Sequence, residues 1–212
     1  MDELVQGSPE WHAARAGSLG ASQVADALAR TAKGAWGASR ANIRSQLVRE
    51  RLTGKPTEAF CSAAMQRGKD LEPQARAMYS FQTGYEVEEV ALIRHPRIEG
   101  SHCSPDGLCG DSGMVEIKCC GDARHHEMLD GAEPEDRYVK QCLWQMACTG
   151  RQWVDLAYFN PDWPAEMQLV VRRIDRDGDK IAELEAEVAA FLAEVDKGVA
   201  NLAARYLERE AA

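Results

Sequence analysis

The chain has 212 residues, and 45 % of them are hydrophobic, which is enough to close one sizeable core and predicts a single domain over residues 1–212. Its formal charge of −9 argues against a protein that coats nucleic acid through its overall field, because such domains are usually basic. The apolar runs are short, and the N-terminal residues lack the basic start and apolar stretch of a signal peptide, so we expect a cytoplasmic protein without membrane contacts.

Hydrophobic periodicity predicts the elements in chain order. Alanines, long side chains and spaced apolar residues predict helices at residues 22–29, 38–52 and 62–83, the third with a kink or a new start at Pro73. Alternation then predicts strands at 85–94, 98–104 and 114–119, followed by a helix at 135–149, strands at 153–159 and 167–174, and a long amphipathic helix beyond Gly178. This order predicts an α/β (α+β) fold, with a central mixed β-sheet flanked by helices and a long C-terminal helix.

The charges are unevenly distributed along the chain. Residues 11–57 contain eight Lys and Arg but two acidic residues, whereas residues 175–212 contain ten acidic residues and five basic ones. A polyanion could therefore contact one basic face of the protein. Solvated helix surfaces explain such charge runs equally well.

Three polar side chains in the middle of the chain have the chemistry of a nuclease. Alternation in the strand predicted at 114–119 places Glu116 and Lys118 on one face, and the preceding turn brings Asp106 back toward them. Paired carboxylates can hold Mg²⁺ through hard oxygen ligands, with the main-chain carbonyl of Ile117 as a further oxygen. Lys118 can orient the attacking water or stabilise charge in the transition state. Taken alone, this pattern also arises by chance in many hairpins.

Four sequence blocks make the pattern more specific. They are WHAARAGSLGASQVADAL from Trp11, RGKDLEPQAR from Arg67, SPDGLCGDSGMVEIKC from Ser104 and YVKQCLWQMACTG from Tyr138. In this order the blocks resemble the phage lambda exonuclease family of recombination nucleases, within the PD-(D/E)XK superfamily, over residues 11–161. The resemblance implies a PD-(D/E)XK nuclease core.

The resemblance implies a role for each matching residue. Asp106 and Glu116 would bind catalytic Mg²⁺, expected as two ions that Mn²⁺ could replace. Lys118 would serve the nucleophilic water, and Glu72 would be a further acidic member of the metal site. The residues implied to bind the 5′-terminal phosphate of DNA are Arg15, Ser22, Ser104 and Gln141. These residue types suit that role, because Arg offers a bidentate fork to phosphate oxygens and Ser and Gln add neutral donors.

Several of these positions have an ordinary structural alternative. Glu72 could be an exposed helix residue that pairs with Arg76 at i+4. Arg15 could be a surface arginine, and Ser22 could be the N-cap of the following helix. Gln141 could hydrogen-bond to water on a polar helix face.

Two further patterns suggest other metals but fit them poorly. Cys119, Cys120, His125 and His126 lie close in sequence, yet adjacent strand residues point to opposite faces and do not readily share one zinc ion. The run DRDGD at residues 175–179 is similar to a calcium loop, but its twelfth position is Ala186, where a bidentate glutamate is required. A turn that caps the last helix is the better interpretation of this run.

The residues and the resemblance together predict a Mg²⁺-dependent exonuclease that digests one strand of double-stranded DNA from its 5′ end and leaves a 3′ overhang for recombination. The polarity and processivity come from the resemblance alone. It also implies a homotrimeric ring around DNA, a single-strand annealing protein as partner, and a phage- or prophage-encoded protein in a bacterial host. The rivals are another PD-(D/E)XK endonuclease or repair nuclease of the RecB or CRISPR-associated type, and an inactive module that binds DNA ends.

Overall fold

The structure is a computed structural model, and it describes residues 4–57 and 61–207. The helices are α1 (Pro9–Arg15), α2 (Val24–Ala27), α3 (Ala38–Thr53), α4 (Ala63–Thr83), α5 (Asp122–Leu129), α6 (Asp136–Thr149) and α7 (Gly178–Tyr206). The strands are β1 (Leu19–Gly20), β2 (Val87–Glu88), β3 (Ile93–Arg94), β4 (Ser101–Cys103), β5 (Gly107–Cys109), β6 (Gly113–Cys119), β7 (Trp153–Phe159) and β8 (Leu169–Asp175). The domain predicted over residues 1–212 includes residues 1–3, 58–60 and 208–212, which lie outside the described residues.

A five-stranded mixed sheet forms the centre of the fold. Its strand order is β2-β5-β6-β7-β8, and β6 and β7 are its one parallel pair. These two strands pair over seven residues, from Gly113 opposite Trp153 to Cys119 opposite Phe159. A second sheet, of order β1-β4-β3, contains three short strands. The predicted mixed sheet with flanking helices and a long C-terminal helix is confirmed.

The central sheet is buried on both faces. Met114 of β6 belongs to a large core that includes Trp144 of α6 and Phe191 of α7. The next residue, Val115, belongs to a smaller core on the other face, with Tyr79 of α4. All five of these side chains are almost completely shielded from solvent. Alternation along β6 therefore separates a face toward α6 from a face toward α4.

Capping side chains and glycines set the ends of the longer helices. The Ser62 hydroxyl caps the N-terminus of α4, which continues through Pro73 as a single helix and ends before Gly84, whose φ is 76°. A new helix start at Pro73 is therefore wrong. The Asp177 carboxylate accepts the main-chain N–H of Lys180, so the DRDGD run caps α7 as predicted. None of the described helices has the length and apolar character that a membrane span requires.

The strand predicted at residues 85–94 is wrong as one element, because β2 and β3 within it belong to different sheets. The strand predicted at residues 98–104 is shorter in the structure, where only β4 (Ser101–Cys103) forms within that range. The residues before β4 form a turn, in which His95 accepts the main-chain N–H groups of Arg97 and Ile98 and Gly100 has a φ of 74°. The sequence pattern did not predict α1, β5 or α5, since each is too short to display a clear period.

The basic stretch and the acidic tail of the sequence contact each other in the fold, where α3 packs against α7. The ion pairs that join them are Arg30–Glu187, Arg40–Glu194, Arg44–Glu194 and Arg51–Asp196. Half of the basic residues in the stretch are thus paired with acids of α7. Only the other four basic residues of the stretch are left without an acid of α7 as a partner in the described structure.

Candidate active site

Asp106, Glu116 and Lys118 lie along the middle and the C-terminal half of β6. Glu116 and Lys118 are on β6 itself and contact α6, whereas Asp106 lies in the connection between β4 and β5. The antiparallel hairpin of β5 and β6 brings Asp106 alongside the C-terminal half of β6. There the Asp106 carboxylate accepts a 2.7 Å hydrogen bond from the main-chain N–H of Ile117.

Glu116 is buried, and neighbouring side chains hold both of its oxygens. Its Oε1 accepts hydrogen bonds from Lys118 Nζ and Gln141 Nε2, each over 2.6 Å, and its Oε2 accepts one from Gln145 Nε2 over 2.5 Å. The Gln141 Oε1 lies 3.3 Å from Lys118 Nζ. The Gln141 amide therefore has one sensible orientation, with nitrogen toward the carboxylate and oxygen toward the ammonium. Two glutamines one turn apart on α6 thus fix the Glu116 carboxylate.

Lys118 is a charged donor in this site. Its Nζ lies 4.6 Å from the centre of the Tyr138 ring and 2.6 Å from Glu116. Burial disfavours the ammonium form, but the carboxylates of Glu116 and Asp106 outweigh burial and raise the pKa of Lys118 above its ordinary value. Lys118 can therefore donate hydrogen bonds at neutral pH and does not act as a base there.

The Asp106 carboxylate occupies an unfavourable position for a negative charge. Loss of hydration raises the pKa of Asp106 well above its ordinary value, and the charges of Glu116 and Glu72 raise it further. Lys118 and the N–H of Ile117 oppose this shift without cancelling it. A further cation beside these carboxylates would reduce their mutual repulsion.

Glu72 reaches the same region from α4. It forms the i,i+4 ion pair with Arg76 over 2.7 Å, as the structural alternative for this residue predicts. Arg76 also pairs with Glu89 over 2.6 Å and donates to the main-chain oxygen of Asp106 over 3.2 Å. Burial raises the pKa of Glu72, Arg76 opposes this, and the charge of Glu116 adds to it. Glu72 is thus close enough to Glu116 for their charges to interact.

We call Asp106, Glu116, Glu72 and Lys118 together the carboxylate cluster. Its carboxylate oxygens are ligands that suit a hard divalent cation. Within residues 4–57 and 61–207, no three His, Cys, Asp or Glu side chains converge in metal-binding geometry. The reason is local, since Glu116 is bound to Lys118 and two glutamines, while Glu72 is bound to Arg76. The donor chemistry of the cluster fits Mg²⁺, and binding would require some of these contacts to rearrange.

A cavity of about 350 Å³ lies beside Arg15, and its polar lining includes Arg15, Ser18, Ser22, Gln46, Glu50 and His102. In this Arg15 cavity the guanidinium lies 3.8 Å from the centre of the Trp11 ring and donates from Nε to His102 Nε2 over 2.9 Å. Burial lowers the pKa of Arg15, and the charge of Glu50 opposes the change. Arg15 is half-buried and held on two sides, so the alternative of an ordinary surface arginine is wrong.

The four residues predicted to bind phosphate are divided between two places. Arg15 and Ser22 line the Arg15 cavity. Ser22 is exposed and α2 has Gln23 as its N-cap, so the N-cap alternative for Ser22 is wrong. Ser104 does not line the cavity, and its buried hydroxyl has no hydrogen-bond partner among the described residues. Gln141 contacts the carboxylate cluster instead.

Sequence reasoning missed several side chains of these two places. Ser18 and His102 meet because β1 and β4 pair in parallel, with Gly20 opposite His102, and a two-residue strand gives no periodic signal. Gln145 is different, since its position one turn from Gln141 is visible in the sequence but leaves its role open. In the structure the face they share is buried against Glu116 and not solvated.

Known proteins match the chain in sequence and in fold. The family model of the YqaJ-like viral recombinase domain matches residues 10–152. The crystal structure of an alkaline exonuclease, LHK-Exo, from Laribacter hongkongensis is 46 % identical and has a TM-score of 0.85, with 96 % of this chain and 98 % of that chain covered. LHK-Exo in complex with dAMP gives 46 % identity and a TM-score of 0.87, with 95 % and 99 % covered. No curated protein sequence gives a significant match.

A more distant structure shares the fold. The phage related exonuclease from Haemophilus somnus 129PT is 13 % identical, with a TM-score of 0.69 and with 87 % of this chain and 96 % of that chain covered. The region that the family model matches, residues 10–152, spans more than half of the chain and contains both the carboxylate cluster and Arg15. The chain therefore belongs to the YqaJ-like viral recombinase family, a family of deoxyribonucleases.

Proposed function

We propose that this protein is a Mg²⁺-dependent exonuclease that digests one strand of double-stranded DNA from its 5′ end. The observation that carries the proposal is the arrangement of Glu116, which is held by Lys118 and two glutamines beside the half-buried Asp106. The relationship to the alkaline exonuclease LHK-Exo, and the complex of that protein with the mononucleotide dAMP, support the choice of substrate and product class.

Four groups of the chain would hold the metal, namely Asp106, Glu116, Glu72 and the main-chain carbonyl of Ile117. Bound Mg²⁺ neutralises phosphate charge and lowers the pKa of a coordinated water, which are the two requirements of phosphodiester hydrolysis. Two ions are expected, with Mn²⁺ as a substitute. The fit rests on the chemistry of the donors and on the repulsion between Asp106, Glu116 and Glu72 that a cation would relieve.

The other residues of the cluster position the reacting groups. Lys118 stays charged, so it can donate to the attacking water or to a phosphate oxygen as negative charge develops there. Gln141 and Gln145 prevent the Glu116 carboxylate from rotating, because each donates to a different oxygen. Once a cation has displaced some of these contacts, a carboxylate held by the remaining ones would keep the cation in a defined position, which favours catalysis.

The Arg15 cavity would give the enzyme its direction. An arginine with free terminal nitrogens can bind a phosphate group in bidentate fashion, and the Ser22 hydroxyl in the same lining can add a donor. If a terminal 5′-phosphate binds there, we expect the scissile bond to be placed at the carboxylate cluster. Ser104 and Gln141 would join the phosphate-binding set through DNA that spans the two places.

The remaining parts of the proposal concern assembly and cellular context. We expect a homotrimeric ring around DNA and a single-strand annealing protein that receives the 3′ overhang during recombination. The expected setting is the cytoplasm of a bacterial host, with a phage or prophage as source. The family match to viral recombinase domains supports this context.

A strand-specific digestion experiment tests the proposal. A linear duplex carries a 5′-phosphate at one end and a 5′-hydroxyl at the other, and it is incubated with and without Mg²⁺. We expect the strand that carries the 5′-phosphate to shorten from its 5′ end, and only when Mg²⁺ is present. Earlier loss of a 3′-terminal label, or cutting of closed circular DNA, would show that the enzyme is another kind of nuclease.

A further inference from the structure

His102 connects two side chains of the Arg15 cavity. Its ring is buried, with 1 % exposure, and lies on β4 directly opposite Gly20 of β1. One ring nitrogen, Nε2, accepts a 2.9 Å hydrogen bond from Arg15 Nε. The other, Nδ1, lies 2.8 Å from the Ser18 hydroxyl oxygen. Arg15, Ser18 and His102 all line the cavity, so His102 contacts two of its other polar groups.

The contact with Arg15 determines where the imidazole proton lies. A guanidinium can only donate hydrogen bonds, so His102 Nε2 must be the acceptor and the neutral ring must carry its proton on Nδ1. That proton is then donated to the Ser18 oxygen. Burial lowers the pKa of His102 to about 3, and the positive charges of Arg15 and Arg94 contribute, so the ring is neutral at physiological pH.

The same tautomer determines the direction of the Ser18 hydroxyl. Because Ser18 accepts from His102, its own hydrogen must be donated elsewhere, and Ser18 Oγ has no other hydrogen-bond partner among the described residues. The hydroxyl is thus left as a donor at the cavity wall. The Arg15 guanidinium also keeps donors for a ligand. Its Nε donates to His102, while its terminal nitrogens make no hydrogen bond to the described residues.

Glu50 also lines the cavity, but it accepts no hydrogen bond from Arg15 or Ser18. Glu50 is buried, and its oxygens accept the main-chain N–H groups of Gly17 and Thr57 and the side-chain amide of Gln46. Gly20 allows the close approach of the other groups, since a Cβ there would lie 3.2 Å from His102 Nε2 and 3.3 Å from Arg15 Nη2. The cavity therefore presents two donors that no acceptor of the described residues occupies.

We infer that His102 is a positioning residue that aims the Arg15 guanidinium and the Ser18 hydroxyl at a terminal phosphate, and that Ser18 is itself a ligand of that phosphate. This inference rests on the proposed function, in which the Arg15 cavity binds the 5′ end of DNA. It adds two residues, Ser18 and His102, to the recognition of the phosphate, and it explains why a neutral histidine lies beside an arginine in an anion site.

Two substitutions of His102 separate its two contacts. His102→Gln can present an amide group near the position of Nε2 and so retain an acceptor for Arg15, whereas His102→Leu has similar bulk and no acceptor. The measured quantity is the ratio of kcat/KM for a 5′-phosphate duplex to that for a 5′-hydroxyl duplex. We expect His102→Leu and Ser18→Ala to reduce this ratio about tenfold each, since each removes or misdirects a hydrogen bond to a charged group. His102→Gln should retain more of the ratio than His102→Leu.

Reference variants make the outcomes distinct. Arg15→Ala should abolish the preference for phosphate, and His126→Ala, a change at an exposed histidine of α5, should leave the ratio unchanged. If Arg15→Ala retains the preference, the cavity is not the phosphate site, and both the direction assigned to the enzyme and the role of His102 are overturned. If Arg15→Ala loses the preference but His102→Leu and Ser18→Ala keep it, the proposed function stands and this inference is wrong.

A spectroscopic measurement tests the inference without turnover. In protein labelled with ¹⁵N at histidine, the His102 ring should show the neutral tautomer with its proton on Nδ1 at pH 7. Addition of a duplex with a 5′-phosphate should shift that signal more than addition of the same duplex with a 5′-hydroxyl. A tautomer protonated on Nε2, a doubly protonated ring, or equal shifts with the two duplexes would contradict the arrangement.

Discussion

The Asp106 carboxylate accepts the main-chain N–H of Ile117 over 2.7 Å, and this contact joins two elements of the candidate active site. Strand β5 pairs with β6 only as far as Gly107 opposite Val115. The N–H of Ile117, two residues further along β6, is therefore paired with a side chain instead of a neighbouring strand. The contact uses Oδ2 of Asp106, and no described residue donates to Oδ1.

The contact predicts the effect of Asp106→Asn. The asparagine can still accept the Ile117 N–H through its amide oxygen, so the hairpin should keep its geometry, while the negative charge that the proposed Mg²⁺ site requires is lost. We expect nuclease activity to fall by about a hundredfold or more, with a change in Tm of a few degrees at most. Single-turnover digestion of linear duplex and thermal unfolding measure the two quantities. Asp111→Asn, at an exposed position of the same hairpin, is the control and should retain activity.

Lys118→Ala should separate DNA binding from hydrolysis. The lysine contacts Glu116 and Gln141, not the Arg15 cavity, so the variant should still bind DNA ends. It should release no nucleotides, because it lacks the donor for the attacking water or the developing charge. Equilibrium binding to end-labelled duplex and nucleotide release are the readouts. Normal turnover by this variant would show that the active site has been assigned to the wrong residues.

Gln145→Leu should destabilise the protein in a way that Mg²⁺ partly reverses. Gln145 is the donor to Glu116 Oε2 in the described structure, and its loss leaves a buried carboxylate oxygen without a hydrogen bond. Such a group costs about 1–3 kcal/mol. A cation that binds the folded state offsets part of this cost by mass action. The Tm of Gln145→Leu and of the unaltered protein is measured with and without Mg²⁺. If Mg²⁺ raises the Tm of Gln145→Leu no more than it raises that of the unaltered protein, the result counts against metal binding by Glu116.

Arg40 and Arg44 contact the same acid, Glu194, but should differ in their effect on stability. Arg40 is buried, lies 2.7 Å from Glu194, donates to the Ala27 carbonyl and packs over Trp36. Arg44 is about half exposed and lies 3.9 Å from Glu194. Arg40→Met should lower the free energy of unfolding by about 2 kcal/mol, while Arg44→Met should change it by less than about 0.5 kcal/mol. Urea unfolding of both variants measures the change in the free energy of unfolding. Equal changes would contradict the expected difference between Arg40 and Arg44.

The sequence predicted those parts of the protein that depend on local order. The alternation of 114–119 and the period of α7 extend over enough residues to identify a strand and a helix, and both are confirmed. The contact of His102 with Arg15 could not be predicted, because it depends on strands of two and three residues that lie far apart in the chain. The pairing of Arg40 with Glu194 could not be predicted either, because the two residues are more than 150 positions apart and meet only where α3 packs against α7.

The identity of the first product tests the central claim most directly. A linear duplex carries a labelled 5′-phosphate on one strand, and the products of the first seconds of digestion are separated by size. In Mg²⁺ the protein should release the label as a mononucleotide, and neither Lys118→Ala in Mg²⁺ nor the unaltered protein in a chelator should release it. If the label stays in long fragments while the DNA is cut, the result would contradict a 5′ exonuclease. If Lys118→Ala releases the label as fast as the unaltered protein, the result would contradict an active site centred on Asp106, Glu116 and Lys118.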